Sequence, residues 1–470
     1  MPLVVLFLTA LIAMPSAVQA AQTGTPGAPP TAELLEEPPV LANLSTEPGV
    51  VEVELVAAPA QVDLGRGVPT PVWAFNGSVP GPTLEVREGD RVVVRFRNDL
   101  DEPTTIHWHG LHLPFESDGS PFHPVAPGER HDYVFTIPEG TAGTYWYHPH
   151  PHHRTTHQVS HGLFGALIVR ADDDPLAGFP ERLLILTDNR FREDGTIDMP
   201  EPGSMQARID EENGREGDVL FVNGQVAPRI DTRVGEVQRW RIVNASAARV
   251  YRLAIPGSTM LHVGSDGGLF DGPLAVPELV LANSERAEVL VSGDAGGDLE
   301  LTTLPYDRYI PQTRPRDWKT PRHLLTLHTT ADPPVAPMTI PDVLRPVEPI
   351  DASEATTTRV VVLSQGMINN RKMDAARVDI TAALGSTEIW EIENVVGMDH
   401  PFHLHGFRFQ ILDRNDVPVP VRSWKDSVNV PKHERLRIIV RFEDYPGKWM
   451  FHCHILNHED MGMMGVLEVS

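Results

Sequence analysis

The chain has 470 residues, 41% of them hydrophobic, with a formal net charge of −25 and a single cysteine. That is enough for about three domains of ordinary size. The acidic balance and the lack of a lysine- or arginine-rich run argue against nucleic acid as a partner, and the lone cysteine excludes an intramolecular disulfide.

Residues 3–14 are apolar, and Val18-Gln19-Ala20 precedes Ala21 as a small-residue cleavage pattern, so residues 1–20 read as a signal peptide for export to the periplasm or beyond. Its first residues carry no lysine or arginine, which leaves open a longer, twin-arginine leader. The apolar run is too short to span a bilayer, so no membrane span is expected in the mature protein. Residues 21–47, rich in Pro, Ala, Thr and Glu, read as a flexible tether.

From there the chain repeats itself. The first copy reads Asn76-Gly77, then Gly89-Asp90, then an alternating run ending at Asn98. The second reads Asn223-Gly224, Gly235-Glu236 and a run to Asn244; the third reads Asn369-Asn370, Gly385-Ser386 and a run to Asn394. The last asparagines are 146 and 150 residues apart. Each copy is a polar turn, a glycine turn and an alternating strand. With 44 prolines and 37 glycines, the reading is an all-β protein of three Greek-key β-sandwich domains at 48–172, 173–335 and 336–470. Linkers are expected at Asp172–Pro175 and between Asp332 and Pro349. The middle unit has no metal-ligand cluster, its His262 reads as structural, and the unit reads as a spacer.

The chemistry lies in the outer units. With 21 histidines in the chain, about one His-x-His pair is expected by simple template counting, yet five occur: 107/109, 148/150, 150/152, 403/405 and 452/454. On a strand such a pair presents both rings on one face. Near the C-terminus Cys453 stands between His452 and His454, with His458 five residues on and Met463 ten on. A thiolate, two imidazoles and a weak thioether make a blue-copper ligand set. Alternation sends Cys453 to one face and its two neighbours to the other, so one short stretch serves two metal sites. Four His pairs are too many for one metal and suit a three-metal cluster between two domains. His153, His157 and His161 have helical spacing and read as a solvated face or an accessory copper site, with His152 behind the cluster.

Over roughly residues 48–470 these motifs resemble the three-domain bacterial multicopper oxidases of the laccase and cuprous oxidase type, whose domains are cupredoxin-like. The resemblance implies four coppers. His400, Cys453 and His458 would hold the type 1 ion, with Met463 axial. His107 and His403 would hold type 2. His109, His148 and His454 would hold one type 3 ion, and His150, His405 and His452 the other. It implies one-electron oxidation of a small donor, phenol-type or cuprous ion, with electrons passing through Cys453 to a cluster that reduces dioxygen to water. Asp118 and Glu459 match family acids that supply protons. Asp426, in Trp424-Lys425-Asp426, reads as an exposed carboxylate serving the donor near the type 1 site. The protein is expected to be a monomer. Met367, Met373, Met398 and the trio Met461, Met463 and Met464 suggest a dedicated cuprous oxidase as the alternative, since sulfur suits Cu(I), but there is no dense methionine run and the reading is laccase-like activity with some cuprous oxidase capacity. A non-catalytic cupredoxin-like structural protein and a copper nitrite reductase are the other readings, both opposed by the complete ligand set.

Overall fold

The asparagines that mark the repeat do the same job three times. Asn76, Asn223 and Asn369 sit at φ of 50°, 53° and 51°, left-handed values that asparagine tolerates better than most residues. Their Oδ1 atoms accept the backbone N–H of Val56, Ile185 and Val362 at 2.7, 2.8 and 2.8 Å, which ties each turn to the preceding strand. Asn98, Asn244 and Asn394 are buried, and their Nδ2 groups donate to the carbonyls of Val125, Leu281 and Val430 at 2.9, 2.9 and 2.8 Å. In each unit the first long strand runs parallel to the strand ending in that asparagine: Val50–Asp63 with Arg91–Asn98, Glu181–Asn189 with Val237–Asn244, and Ala355–Ser364 with Thr387–Asn394. A parallel pair cannot be closed by a tight hairpin, so the chain crosses between sheets and a Greek-key sandwich results.

The computed structural model describes residues 32–293, 297–308, 319–336 and 338–470. Two four-stranded sheets form the first sandwich, and a six-stranded and a five-stranded sheet form each of the others. Each has its own core: around Phe75, Trp108 and Tyr147 in the first, Trp240 and Tyr251 in the second, and Trp390, Phe402 and Trp449 in the third. The expected signal peptide lies outside the described residues. Among the described residues no helix is long and apolar enough to cross a membrane.

Residues 32–47 are not the free tether that their composition suggests. Leu35 N–H donates to Arg229 O at 2.8 Å, and Leu41 N–H to Thr83 O at 2.9 Å, while Thr83 N–H donates to Pro39 O at 2.8 Å. The segment is a strap from the second sandwich to the first. Proline gives up its own N–H but keeps its carbonyl, and exposed strand edges supply partners for both. The proline-rich connection before the third sandwich is docked as well, with Leu344 N–H bonded to Asp271 O at 2.8 Å.

The short helices meet at the site. Leu456–Asp460 of the third sandwich packs against both Thr155–Ser160 of the first and Met205–Asn213 of the second. Asp460 caps the first of these, accepting from Thr155 N–H at 2.8 Å and Thr156 N–H at 2.9 Å. A carboxylate there satisfies two free donors and faces the positive end of the helix.

Candidate metal centre

Strand register builds the site. Phe402 pairs with Cys453 and His403 with His452 across one strand pair, and His107 pairs with His148 across another. Cys453 points into the apolar core with Phe402 and Trp390. The His452 ring, one residue earlier, lies 5.3 Å from His403 and 5.0 Å from His150. The two faces expected from alternation are both used.

On the Cys453 side the strand Gly447–Cys453 ends, and the turn of Leu456–Asp460 brings His458 back. Cys453 Sγ lies 3.6 Å from His458 Nδ1, and ligand atoms of His400, Cys453 and His458 fall within 4.8 Å of one another. His458 donates from Nε2 to Glu212 O at 3.1 Å, which turns Nδ1 toward the sulfur. Met463 is fully buried in the same core. Its N–H donates to His458 O at 2.8 Å, and its carbonyl accepts from Cys453 N–H at 3.2 Å.

On the other face eight buried histidines converge: His107, His109, His148 and His150 from the first sandwich, and His403, His405, His452 and His454 from the third. In all but His150 and His454 the outward nitrogen is tied to an acceptor. Nδ1 of His107, His148, His403 and His452 donates to the carbonyls of Asp118, Pro149, Asp426 and Cys453 at 2.9, 2.9, 2.8 and 3.1 Å. Nδ1 of His405 donates to Asp118 Oδ2 at 2.9 Å. The inward nitrogens are therefore lone pairs facing lone pairs: His405 Nε2 and His452 Nε2 are 3.0 Å apart, and His150 Nε2 and His452 Nε2 3.3 Å. His107 Nε2, His403 Nε2 and both nitrogens of His454 are buried with no protein partner. Buried acceptors without partners are costly, and inward lone pairs fit metal cations. Three triads have ligand atoms mutually within 4.8 Å: His107/His109/His148, His107/His403/His405 and His150/His405/His452. The last is the set expected for one type 3 ion. His454, expected with His109 and His148, has its ring 4.9 and 5.4 Å from theirs.

Burial, reinforced by neighbouring histidines, holds His109, His150, His403, His405 and His454 well below the usual imidazole range, so the rings are neutral. Burial pushes the Cys453 thiol up to about 12. The imidazoles are ready to ligate; the thiol must release a proton to a metal.

The three carboxylates differ from one another. Asp118, 3% exposed, holds His405 through Oδ2 and His107 through its carbonyl. Glu459, 1% exposed, has Oε1 3.5 Å from His150 Nδ1 and Oε2 3.5 Å from His452 Nδ1. Burial, and then the neighbouring Asp460, raise its carboxyl well above the usual range. Asp426 is not the exposed donor-side group expected. It is 2% exposed, accepts from His109 Nε2 at 3.0 Å and is paired with Arg286 at 2.6 Å. Its tripeptide is docked on the second sandwich: Gly267 N–H donates to Trp424 O at 3.0 Å, and Lys425 Nζ meets Glu285 Oε1 at 2.9 Å.

That docking also corrects the spacer reading. The second sandwich supplies Arg286 behind the eight histidines and the Glu212 carbonyl behind His458, although none of its described residues enters a ligand cluster. Neither residue has a sequence signal, since both act across more than a hundred residues. His262 is structural, packed edge-on to Phe270 at 4.7 Å. The additional histidines form neither a solvated helix face nor a triad of ligand atoms. His157 and His161 pack on Trp73 at 5.0 and 5.3 Å, and exposed His152 stacks on His153 at 3.7 Å, away from the cluster.

A cleft of about 500 Å³ opens against His400 and His458. Val396, Met398 and Met461 form apolar wall, and the exposed Glu212 and Lys372 supply charge.

Two family models, both described as multicopper oxidase, match residues 57–174 and 337–470. The chain is 31% identical to the multicopper oxidase mco of Staphylococcus aureus over 92% of each. It is also 30% identical to the cell division protein FtsP of Salmonella typhimurium, over 93% of this chain and 92% of that one. The solved structure of a Campylobacter jejuni multicopper oxidase, described as a metallo-oxidase, superposes with a TM-score of 0.86 at 34% identity, covering 94% of this chain and 96% of that one. The chain therefore belongs to the multicopper oxidases, copper-dependent oxidoreductases that pass electrons from a donor to dioxygen.

Proposed function

We propose that this enzyme holds four coppers. One would be held by His400, Cys453 and His458 with the Met463 thioether as a weak further donor, and three by the eight histidines between the outer sandwiches. His107 and His403 are assigned to the type 2 ion, His109, His148 and His454 to one type 3 ion, and His150, His405 and His452 to the other. The observation that carries this is the pattern of nitrogens: in six of the eight histidines the outward one is tied to an acceptor, and the inward ones face one another or are buried without partners. When bound, copper supplies the one-electron steps and the dioxygen chemistry.

The chain's own residues orient and supply protons. Asp118 fixes His405 through its carboxylate and His107 through its backbone carbonyl. Glu459 carries a proton on a carboxyl facing His150 and His452, where reduction of dioxygen to water consumes protons. Cys453 lies between two cluster histidines in sequence, so the two sites share one covalent stretch of backbone.

The donor is a small molecule or ion that enters the cleft beside His400 and His458. Glu212 takes the place first given to Asp426: a carboxylate there accepts the hydroxyl proton of a phenol or attracts cuprous ion. Met398 and Met461 favour the second reading, a dedicated cuprous oxidase, because thioethers suit Cu(I). The enzyme acts after export and as a monomer. Oxygen uptake with a phenol and with cuprous ion, for wild type, Glu212→Gln and Met398→Leu/Met461→Leu, tests the reading. Glu212→Gln is expected to raise KM for both donors. A loss confined to cuprous ion in the methionine variant identifies a metal oxidase. Unchanged kinetics in every variant would mean the donor binds elsewhere. A fully copper-loaded protein that reduces no oxygen with any donor would favour a structural role, such as the cell-division role named for the Salmonella relative.

A further inference from the structure

One buried side chain of the second sandwich grips the carboxylate behind the histidine site. The Arg286 side chain is 0% exposed and uses all five of its N–H groups. Nε donates to Thr144 O at 3.0 Å. Nη1 donates to Ser284 O at 3.1 Å and Asp426 Oδ1 at 2.8 Å. Nη2 donates to Asp266 O at 3.0 Å and Asp426 Oδ2 at 2.6 Å. Thr144 belongs to the first sandwich and Asp426 to the third, so one guanidinium joins all three. A planar fork with every donor used cannot swing, and its bidentate grip fixes the plane of the carboxylate it holds. Gly110 leaves the necessary room: a Cβ there would stand 2.4 Å from Asp426 Oδ2 and 2.5 Å from Arg286 Nη2.

The carboxylate so fixed is hydrogen-bonded to His109, with His403 Nδ1 farther off at 3.6 Å. Asp426 Oδ1 lies 3.0 Å from His109 Nε2. A carboxylate only accepts, so Nε2 carries the hydrogen and Nδ1 turns inward, 3.5 Å from His148 Nε2. This is the reverse of His107, His148, His403, His405 and His452, whose outward bonds leave from Nδ1.

We propose that Arg286 is a positioning residue for the copper cluster: by locking Asp426 it holds His109 with Nδ1, not Nε2, toward the metals. The second sandwich thereby sets the geometry of a site to which it gives no ligand. The inference rests on His109 being a cluster ligand, and the two can fail separately.

The experiment is nitrogen-15 NMR of the histidine rings in the copper-free protein, together with copper counting and the type 3 absorption of the loaded protein. Wild type is expected to have His109 protonated at Nε2. Arg286→Lys keeps the charge but cannot make the fork. It should give mixed His109 tautomers and about 10- to 100-fold weaker binding of cluster copper, with the blue type 1 band retained. Asp426→Asn, nearly isosteric, should act alike, because an amide nitrogen must then face a donor. It carries the test if Arg286→Lys fails to fold. Lys425→Met breaks a neighbouring contact between the second and third sandwiches and should leave the His109 tautomer unchanged. The proposal is overturned by a wild-type tautomer and copper content in folded Arg286→Lys or in Asp426→Asn. It is also overturned if Lys425→Met shifts the tautomer as much, which would reduce Arg286 to domain glue. A full copper complement in His109→Ala would instead overturn the ligand assignment.

Discussion

Glu459 is a carboxyl with nothing to bond to. Both oxygens are buried without a protein partner, midway between His150 and His452. A solvated loop acid would be exposed; this one is buried, and its carboxyl is held well above the usual range. Glu459→Gln keeps the shape and removes the proton. Stopped-flow is expected to find reoxidation by dioxygen slowed about 100-fold or more, with reduction of the blue copper by donor unchanged. Equal slowing of both half-reactions would mean that the substitution disturbed the copper sites instead. The place of Glu459 beside the histidines was legible after His458 through family resemblance. The place of Asp426 was not, because an acid in a tripeptide carries no mark of whether a guanidinium 140 residues away covers it.

The element that positions the His400–Cys453–His458 group begins with a polar turn. Asn394 closes its strand, donates from Nδ2 to Met398 O and Val430 O at 2.8 Å each, and accepts Val396 N–H at 3.2 Å. His400 begins the next strand, its Nδ1 3.3 Å from Asn394 Oδ1. Asn394→Ala leaves two buried carbonyls and an amide unpaired and is expected to cost about 2–3 kcal/mol. Urea unfolding checks the loss, and a broadened blue band would report the looser His400. Strand alternation was readable around Cys453 because period 2 needs only neighbours in sequence. The capping of Thr155–Ser160 by Asp460 was not, since a cap supplied by another domain has no sequence spacing. The strap at 32–47 was misread for the same reason: its partners at Thr83 and Arg229 belong to two separate sandwiches.

At the scale of the molecule, the first two sandwiches are joined by buried charge. Glu288, fully buried, accepts from Arg239 at 2.6 Å, Arg241 at 2.6 Å and Thr144 of the first sandwich at 2.8 Å. Burial opposes its ionisation, but the two arginines outweigh that and hold the carboxyl down at about 2. A carboxyl depressed by folding contributes stability that is fully present above its unfolded value near 4.5 and is lost as pH falls toward 2. Glu288→Gln removes the carboxylate that Arg239 and Arg241 share, leaves them only Asp174 and Glu181, and is expected to cost about 3 kcal/mol at pH 7. Denaturant melts should also lose part of their pH dependence below pH 4.5. A variant as stable as wild type at pH 7, with the same acid limb, would assign this interface to apolar packing. Three sandwiches could be counted from the asparagine repeat. How they dock could not, because the docking groups, Arg286 and Glu288 among them, sit in a unit whose sequence offers no ligand motif.

The histidines divide evenly, four on His107–His150 and four on His403–His454, whereas the thiolate site belongs to the third sandwich alone. Bound metal at the cluster is thus a rivet through two separately folded bodies, and metal at the blue site is a pin within one. Ligand binding stabilises only what must stay assembled to bind it. Filling the blue site alone should raise the melting of the third sandwich; filling the cluster should merge the melting of the first and third into one transition. On heating or mild chelation, the rivet should fail first, giving a protein that is still blue yet no longer consumes oxygen. Calorimetry of partly loaded protein would detect it, and a single transition at every copper content would mean that the interfaces alone hold the bodies together.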